Sequence, residues 1–338
     1  MVSIVVPVYN VEHYLDACVQ SALRLKTDCE ILLIDDGSTD GSGACCDRWA
    51  AADPRVRVFH QKNGGLSAAR NTGIRNSTGN AILFLDSDDF LDPAATDAML
   101  TQCGQSPVLT GLYRTYDSRT GRYAQEVCEG LLRIAGTVPI GAFLSAVPRD
   151  GQSCYMIAGR FVVEREFLLA NGLFFHNGIY HEDEEWTQRL LCAADSVTVT
   201  HAYFYQYRQG REGAITESVK PKHVFDTFTI LRCAQALLHT PGLTDERAAF
   251  VRQRMANLYL NNLINYSLLP EAERGRARAL LREFHDCCAP NLCGKRGTPV
   301  RLCDRIFGLR VTLALLGVAN RLRGRSVSQR KLGGNTKT

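Results

Sequence analysis

Four short strand-like runs, Val2–Val8, Glu30–Ile34, Val56–His60 and Ala81–Leu85, alternate with helical stretches near the start of the chain. Strand–helix alternation this regular predicts a parallel, doubly wound α/β sheet. Val2–Val8 is apolar throughout, as a strand covered on both faces should be. In open sheets of this kind ligands bind beyond the carboxyl ends of the strands. Three of the four strands end there in polar clusters: Tyr9-Asn10, Asp35-Asp36 and Asp86-Ser87-Asp88-Asp89. All three clusters should therefore meet at one edge of one sheet.

The third cluster carries the most chemistry. Three crowded carboxylates repel one another unless a cation joins them. Asp86 and Asp88, two residues apart on extended chain, can point the same way and share one hard divalent ion. An ion held by one or two carboxylates completes its shell with water and substrate phosphates. Helix capping is the plainer explanation, since Asp92-Pro93 opens a helix-like segment, but a cap accounts for one aspartate and not three. A second acidic stretch, Tyr180-His181-Glu182-Asp183-Glu184-Glu185-Trp186, opens a helix expected to run to about Ala194. Acids in a first helical turn suit the helix dipole. Glu182 and Glu185 fall on one side of that helix, and Asp183 projects about 100° away.

Several classes are disfavoured. No GxGxxG turn follows the first strand, which argues against a nicotinamide or flavin enzyme. Met1 leads directly into a strand, so no signal peptide is expected. No apolar run reaches the ~20 residues of a membrane-spanning helix. The 13 cysteines are odd in number and scattered through apolar contexts, which favours reduced buried thiols and a cytoplasmic location. The net charge of +4 hides an asymmetry: residues 295–338 hold 11 bases and one acid, leaving 28 bases and 34 acids elsewhere. The body is mildly acidic and the tail strongly basic. Nucleic acid is a poor partner for that tail, which lacks aromatic interleaving beyond Phe307.

Further along, Leu109–Tyr113 suggests a strand and Gly136–Val147 a helix. Ala158–Val163 reads as a strand, as does Asp195–Thr200, followed by the aromatic run Tyr203–Arg208. Helical patterns then cover His223–His239, Asp245–Leu269 and Glu271–Cys288. The expected division is a catalytic domain over 1–218, a helical appendage over 219–294 and a basic tail over 295–338. Within the tail, Val311–Ala319 is apolar nearly all round and flanked by arginines. It suits a helix lying on an anionic membrane surface, or else one buried against the appendage or a second subunit.

Residues 2–90 resemble the family 2 glycosyltransferases of GT-A fold. The matching pieces are Pro7–Asn10, Ile34–Asp40, Asn63–Asn71 and Leu85–Asp89. The resemblance implies a UDP-sugar donor, Mn2+ or Mg2+, and transfer with inversion to a saccharide or lipid-linked saccharide acceptor. Bacterial capsule, exopolysaccharide or O-antigen assembly is the implied setting, on the inner face of the cytoplasmic membrane. It places Pro7, Val8, Tyr9 and Asp36 around the nucleobase, with Asp36 accepting from uracil N3. Asp86 would contact the ribose or the metal, and Asp88 would ligate the metal, a role Asp89 could share. Arg70 would brace the acidic edge or a phosphate, or form an ion pair behind the site. Asp183, the second acid of the Glu182-Asp183 pair, would be the catalytic base, with Glu182 next. Arg208 would pair with phosphate, His201 would be a metal ligand or a structural histidine, and Gly210–Gly213 would suit a lid. Family members often carry an aromatic residue and a lysine where this chain has Ala158 and Arg160. Two rivals are a nucleotidyltransferase, for which Pro7–Asn10 lacks the Gly- and Lys-rich phosphate loop, and a non-catalytic membrane-associated assembly subunit.

Overall fold

The structure, a computed structural model, describes residues 1–125, 128–147, 157–210 and 220–332, with side chains to 322. The lid expected at Gly210–Gly213 falls outside these beyond Gly210, as does the 218/219 boundary. Described residues up to 210 form one compact unit and those from 220 form another.

In the first unit, β1 (Val2–Val8), α1 (Glu12–Leu23), β2 (Cys29–Asp35), α2 (Ser42–Ala52), β3 (Val56–His60), α3 (Leu66–Asn76) and β4 (Ala81–Phe84) alternate as expected. Next come β5 (Phe90–Leu91), α4 (Pro93–Leu100), β6 (Val108–Asp117), β7 (Arg122–Gln125), β8 (Gly136–Pro139) and α5 (Ile140–Ala146). The unit closes with β9 (Phe161–Glu164), α6 (Arg165–Ala170), α7 (Glu182–Ala193) and β10 (Ser196–Gln209). The strands form one sheet in the order β3-β2-β1-β4-β9-β6-β10-β5, with β7 beside β6 and β8 beside β10. Strands β1 to β4 pair in parallel, β4–β9–β6 is antiparallel, and β10 returns parallel to β6. The parallel character thus belongs mainly to the first half of the sheet. Strand order reverses between β1 and β4, which makes the carboxyl ends of these two strands the natural ligand crevice.

Every residue of β1, β2 and β4 is buried, as two-sided coverage requires. Each fully buried Ile, Leu or Val there contributes roughly 1.5–3 kcal/mol. At the opposite edge of the sheet from the crevice, Glu30 Oε1 accepts from Ser3 Oγ at 2.6 Å and from Thr78 N at 2.6 Å, and Oε2 accepts from Arg57 at 2.7 Å. Burial alone would raise this carboxyl, but the donors overcome it and hold the pKa down at about 2. A depressed carboxylate stabilises the fold above its unfolded value and loses that contribution as pH falls through its folded value. Glu30→Gln should therefore melt below wild type at pH 7, with the gap closing as pH falls from 4.5 toward 2. Thermal melts against pH would show this; a gap independent of pH would refute it.

Three local expectations need correction. Gly136–Val147 is not one helix: Gly136–Pro139 pairs with Ser196–Val199 as an edge strand, and the helix begins only at Ile140. Ala158–Arg160 is a 3-10 turn, with strand only from Phe161. The segments before and after His201 are one strand, β10, with register irregularities between Val199 and Tyr205.

The second unit is helical: α8 (Pro221–Leu237), α9 (Asp245–Asn265), α10 (Glu271–Glu283), α11 (His285–Cys288) and α12 (Gly294–Leu332). Pro270 and the 3-10 turn Tyr266–Leu268 separate α9 from α10. Gly308, at φ 75° and ψ 168°, breaks α12 into two segments. No described helix is long and apolar enough to cross a membrane. The twelve described cysteines are all free thiols.

Candidate active site

The aspartate turn after β4 is clamped from β10. Asp89 is 1 % exposed; its Oδ1 accepts from Arg208 N at 2.7 Å and its Oδ2 from the Tyr205 hydroxyl at 2.8 Å. That same hydroxyl accepts from Asp86 N, and Arg208 Nε donates to the Asp88 carbonyl at 2.6 Å. Tyr205 can lie there because position 159 is glycine: a Cβ would sit 2.4 Å from its ring. Asp89 therefore holds the turn, which leaves Asp86 and Asp88 as the half-buried carboxylates at its surface. Burial, then repulsion from Asp88 and Asp86, pushes the Asp89 carboxyl well up. Beneath the turn, Cys18 Sγ lies 3.7 Å from the Asp86 carbonyl, and burial beside the same aspartates keeps it a neutral thiol.

Arg70 joins this turn to the second acidic stretch. Its guanidinium, 1 % exposed, donates through Nη2 to Asp86 Oδ1 and through Nη1 to both Glu182 Oε1 and Asp183 Oδ1, each at 2.7 Å. The Phe175 ring lies 5.1 Å away under the guanidinium. Three carboxylates thus share one fixed cation. Burial works against the Arg70 charge, but Asp183, Asp86 and Glu182 overcome it and keep the group firmly protonated. Burial, together with the neighbouring Asp183, drives the Glu182 carboxyl up to about 8. Burial also raises Asp86, against the pull of Arg70.

The start of α7 is held with equal care. Asn71, next to Arg70, accepts from Phe175 N at 2.7 Å and donates to Phe175 O at 2.9 Å. Phe175 stacks on Trp186 with ring centroids 4.7 Å apart, and Trp186 Nε1 donates to Leu173 O. His181 caps the helix in the left-handed region, at φ 62°. Asp183, with its second oxygen near Ala158 N, is more exposed than Glu182.

On the β1–β2 side, Asp36 N donates to Val8 O, which binds the two strand ends together. Pro7 and Val8 are buried, whereas Tyr9 is 49 % exposed. Asp36 Oδ1 accepts from Gln61 Nε2 and Gly64 N, and Oδ2 from Gly65 N at 2.7 Å. Gly65, at φ 86°, supplies the left-handed turn that presents those amides.

Arg208 lies between the rings of Tyr14, Phe90 and Tyr116, with its guanidinium 5.2–5.3 Å from each. It lines a cleft of about 520 Å³ with Arg24, Arg114, Phe90, Tyr116 and Gln206. His201 is placed elsewhere: its Nε2 meets the carbonyls of Leu131 and Ile134 at 3.2 and 2.9 Å, in a structural setting. Tyr205 and Asn71 are the positioning residues that sequence reasoning did not single out. Asn71 adjoins Arg70 in a quoted motif, but Tyr205 is one aromatic residue among several on β10.

The family model described as "Glycosyl transferase family 2" matches residues 3–165, which carry the three polar clusters and Arg70. Glycosyltransferase GlyG of Streptococcus pneumoniae serotype 4 (strain ATCC BAA-334 / TIGR4) is 33% identical over 224 residues, 64% of this chain and 72% of GlyG. The chain belongs to glycosyl transferase family 2. This glycosyltransferase is also 42% identical over 229 residues to the uncharacterized glycosyltransferase EpsJ of Bacillus subtilis (strain 168), 65% of this chain and 64% of EpsJ. Among solved structures, S. aureus TarS 1-349 in complex with UDP-GlcNAc has the same fold, with TM-score 0.71 and 18% identity over 95% of this chain and 91% of that one. Family membership sets aside the nucleotidyltransferase reading. The family-model match ends before α7, so Asp183 is tied to the matched region through Arg70.

Proposed function

We propose that this glycosyltransferase moves a hexosyl or N-acetylhexosaminyl group from a UDP-sugar to an acceptor hydroxyl with inversion, using Asp183 as the base. The observation that carries this reading is the pair of 2.7 Å contacts from Arg70 to Asp86 and to Asp183. They put a candidate base and the aspartate turn on one guanidinium. Asp183 is a better base candidate than Glu182, which is deeper and holds its proton to about 8.

Pro7, Val8 and Tyr9 lie beside the uracil in this reading, and Asp36 Oδ2, with one hydrogen bond accepted, has a lone pair left for uracil N3–H. The UDP-GlcNAc held by TarS supports a uridine donor. Asp86 and Asp88 are the residues that would hold Mn2+ or Mg2+. Two half-buried carboxylates on one turn fit such an ion, because a hard cation in a nucleotide site takes one or two carboxylates and fills its shell with phosphate and water. When bound, the ion supplies positive charge to the diphosphate leaving group. Arg208 stands behind the same turn as a further positive group.

Asp183 takes the proton of the acceptor hydroxyl as that oxygen attacks the anomeric carbon. A single base opposite the leaving group makes the displacement in-line, so an α-linked donor gives a β-linked product. The acceptor fitting this reading is a saccharide or lipid-linked saccharide of a bacterial surface polysaccharide.

A thermal-shift screen of UDP- and GDP-sugars with Mn2+ or with chelator tests the donor. The expected result is stabilisation by uridine nucleotides that needs the metal; stabilisation by guanosine nucleotides alone would overturn the uracil assignment. Asp88→Ala should weaken metal-dependent UDP binding by at least ~10-fold, on the scale seen when metal-site residues are altered. Titration calorimetry would read this, and unchanged affinity would remove Asp88 from the metal site.

A further inference from the structure

Of the twelve large apolar side chains exposed among the described residues, seven lie on α12, each 42–60 % exposed. Beyond the break at Gly308, four of them, Val311, Leu315, Val318 and Leu322, recur at intervals of four, three and four residues. On a helix of 3.6 residues per turn they fall within about 60° of one another. Leu302, Ile306 and Phe307 extend the apolar surface before the break.

The orientation of this helix is fixed from its other side. Thr312 and Leu313 are buried, and Asn320 Nδ2 donates to Ile264 O at 2.7 Å and to Ser267 Oγ at 2.8 Å, next to α9. The helix is therefore held on one side by Thr312, Leu313 and Asn320, while a separate apolar stripe faces out.

Charge indicates what covers the stripe. Arg310 and Arg321 are exposed and lie about 60–100° to one side of it on the helical wheel. Arg301 and Arg305 are exposed on the preceding segment. The one acid of residues 295–338, Asp304, is turned inward onto His285 Nε2 at 2.7 Å, its side chain only 9 % exposed, so it does little to offset the arginines. Apolar side chains bordered along one flank by guanidinium groups match the layering of a bilayer surface, with acyl chains beneath anionic phosphates. A protein groove would have to supply both an apolar floor and an acidic rim.

We infer that α12 is a membrane-surface helix, which seats Val311, Leu315, Val318 and Leu322 in the outer acyl layer of an anionic bilayer with its arginines at the phosphates. This inference is independent of the sugar transferred and of the base assignment. Flotation of the full chain with vesicles tests it, comparing pure phosphatidylcholine with about 3:1 phosphatidylcholine:phosphatidylglycerol. Wild type should float with the anionic vesicles and far less with the neutral ones. The double substitution Leu315→Asp with Val318→Asp, at exposed positions, should cut binding at least ~10-fold without moving the thermal midpoint. Changing Arg301, Arg305, Arg310 and Arg321 together to Gln should cost on the order of several hundred-fold, about fivefold per charge near an anionic surface. Leu132→Asp, on an exposed apolar residue of the first unit, should change nothing. Wild type that stays off anionic vesicles, or an Asp double variant that binds as wild type does, would overturn the inference. A dimer in sedimentation velocity that the double variant dissolves, without vesicle binding by wild type, would assign the stripe to a second copy instead.

Discussion

Asp183→Asn is expected to lower the rate of sugar transfer by roughly 10²–10⁴-fold, the usual contribution of a positioned general base. Asparagine keeps an oxygen for Arg70 Nη1, so the network around the guanidinium survives with one charge fewer. The thermal midpoint and metal-dependent UDP affinity should stay near wild type, which separates a lost base from a lost fold. UDP release in the presence of acceptor measures the rate, and calorimetry measures the affinity. Wild-type turnover in the variant would move the base elsewhere, with Glu182→Gln the next substitution to make. The two residues are adjacent in sequence yet differ in setting: Glu182 is the deeper and has the raised pKa, whereas Asp183 is the more exposed.

Arg70→Met should strongly destabilise the first unit. It removes the guanidinium that faces Asp86, Glu182 and Asp183 and leaves three neighbouring acids without it. Breaking a buried pair by deleting one partner costs about 3–5 kcal/mol. For a unit of this size that corresponds to a drop of roughly 6–20 °C in melting temperature. The deficit should shrink as pH falls, because protonated acids no longer repel. Arg70→Lys should recover only part of the loss, since a single ammonium cannot reproduce the forked contacts to carboxylates on two sides. Differential scanning calorimetry at neutral and mildly acidic pH decides the matter. A variant melting within a degree or two of wild type at neutral pH would show that Arg70 does not hold the cluster.

Much of the first half of the fold was legible because its physics is local. Strands buried on both faces read as apolar runs, and their polar ends show where they leave the sheet, as at Val8, Asp35 and Phe84. Edge strands are harder to read. Gly136–Pro139 has no apolar run of its own and becomes strand only by pairing with Ser196–Val199, some sixty residues on. The same limit applies to Asp88 and Asp89. In sequence they are equivalent neighbours; what separates them is hydrogen bonding from Tyr205 and Arg208, more than a hundred residues away. Arg70 illustrates the point from the other side: its motif was recognisable, but three acids converging on it from two distant segments were not. In the tail, composition suggested a helix apolar nearly all round, whereas the structure divides it into an anchored side, marked by Asn320, and an exposed one.

The guanidinium common to Asp86 and Asp183 carries a consequence for anyone dissecting this cleft. Because both acids contact one cation, the losses of transfer rate on neutralising each are expected to be non-additive. Two acids on distant segments, one after β4 and one at the start of α7, thus answer to a single fixed charge.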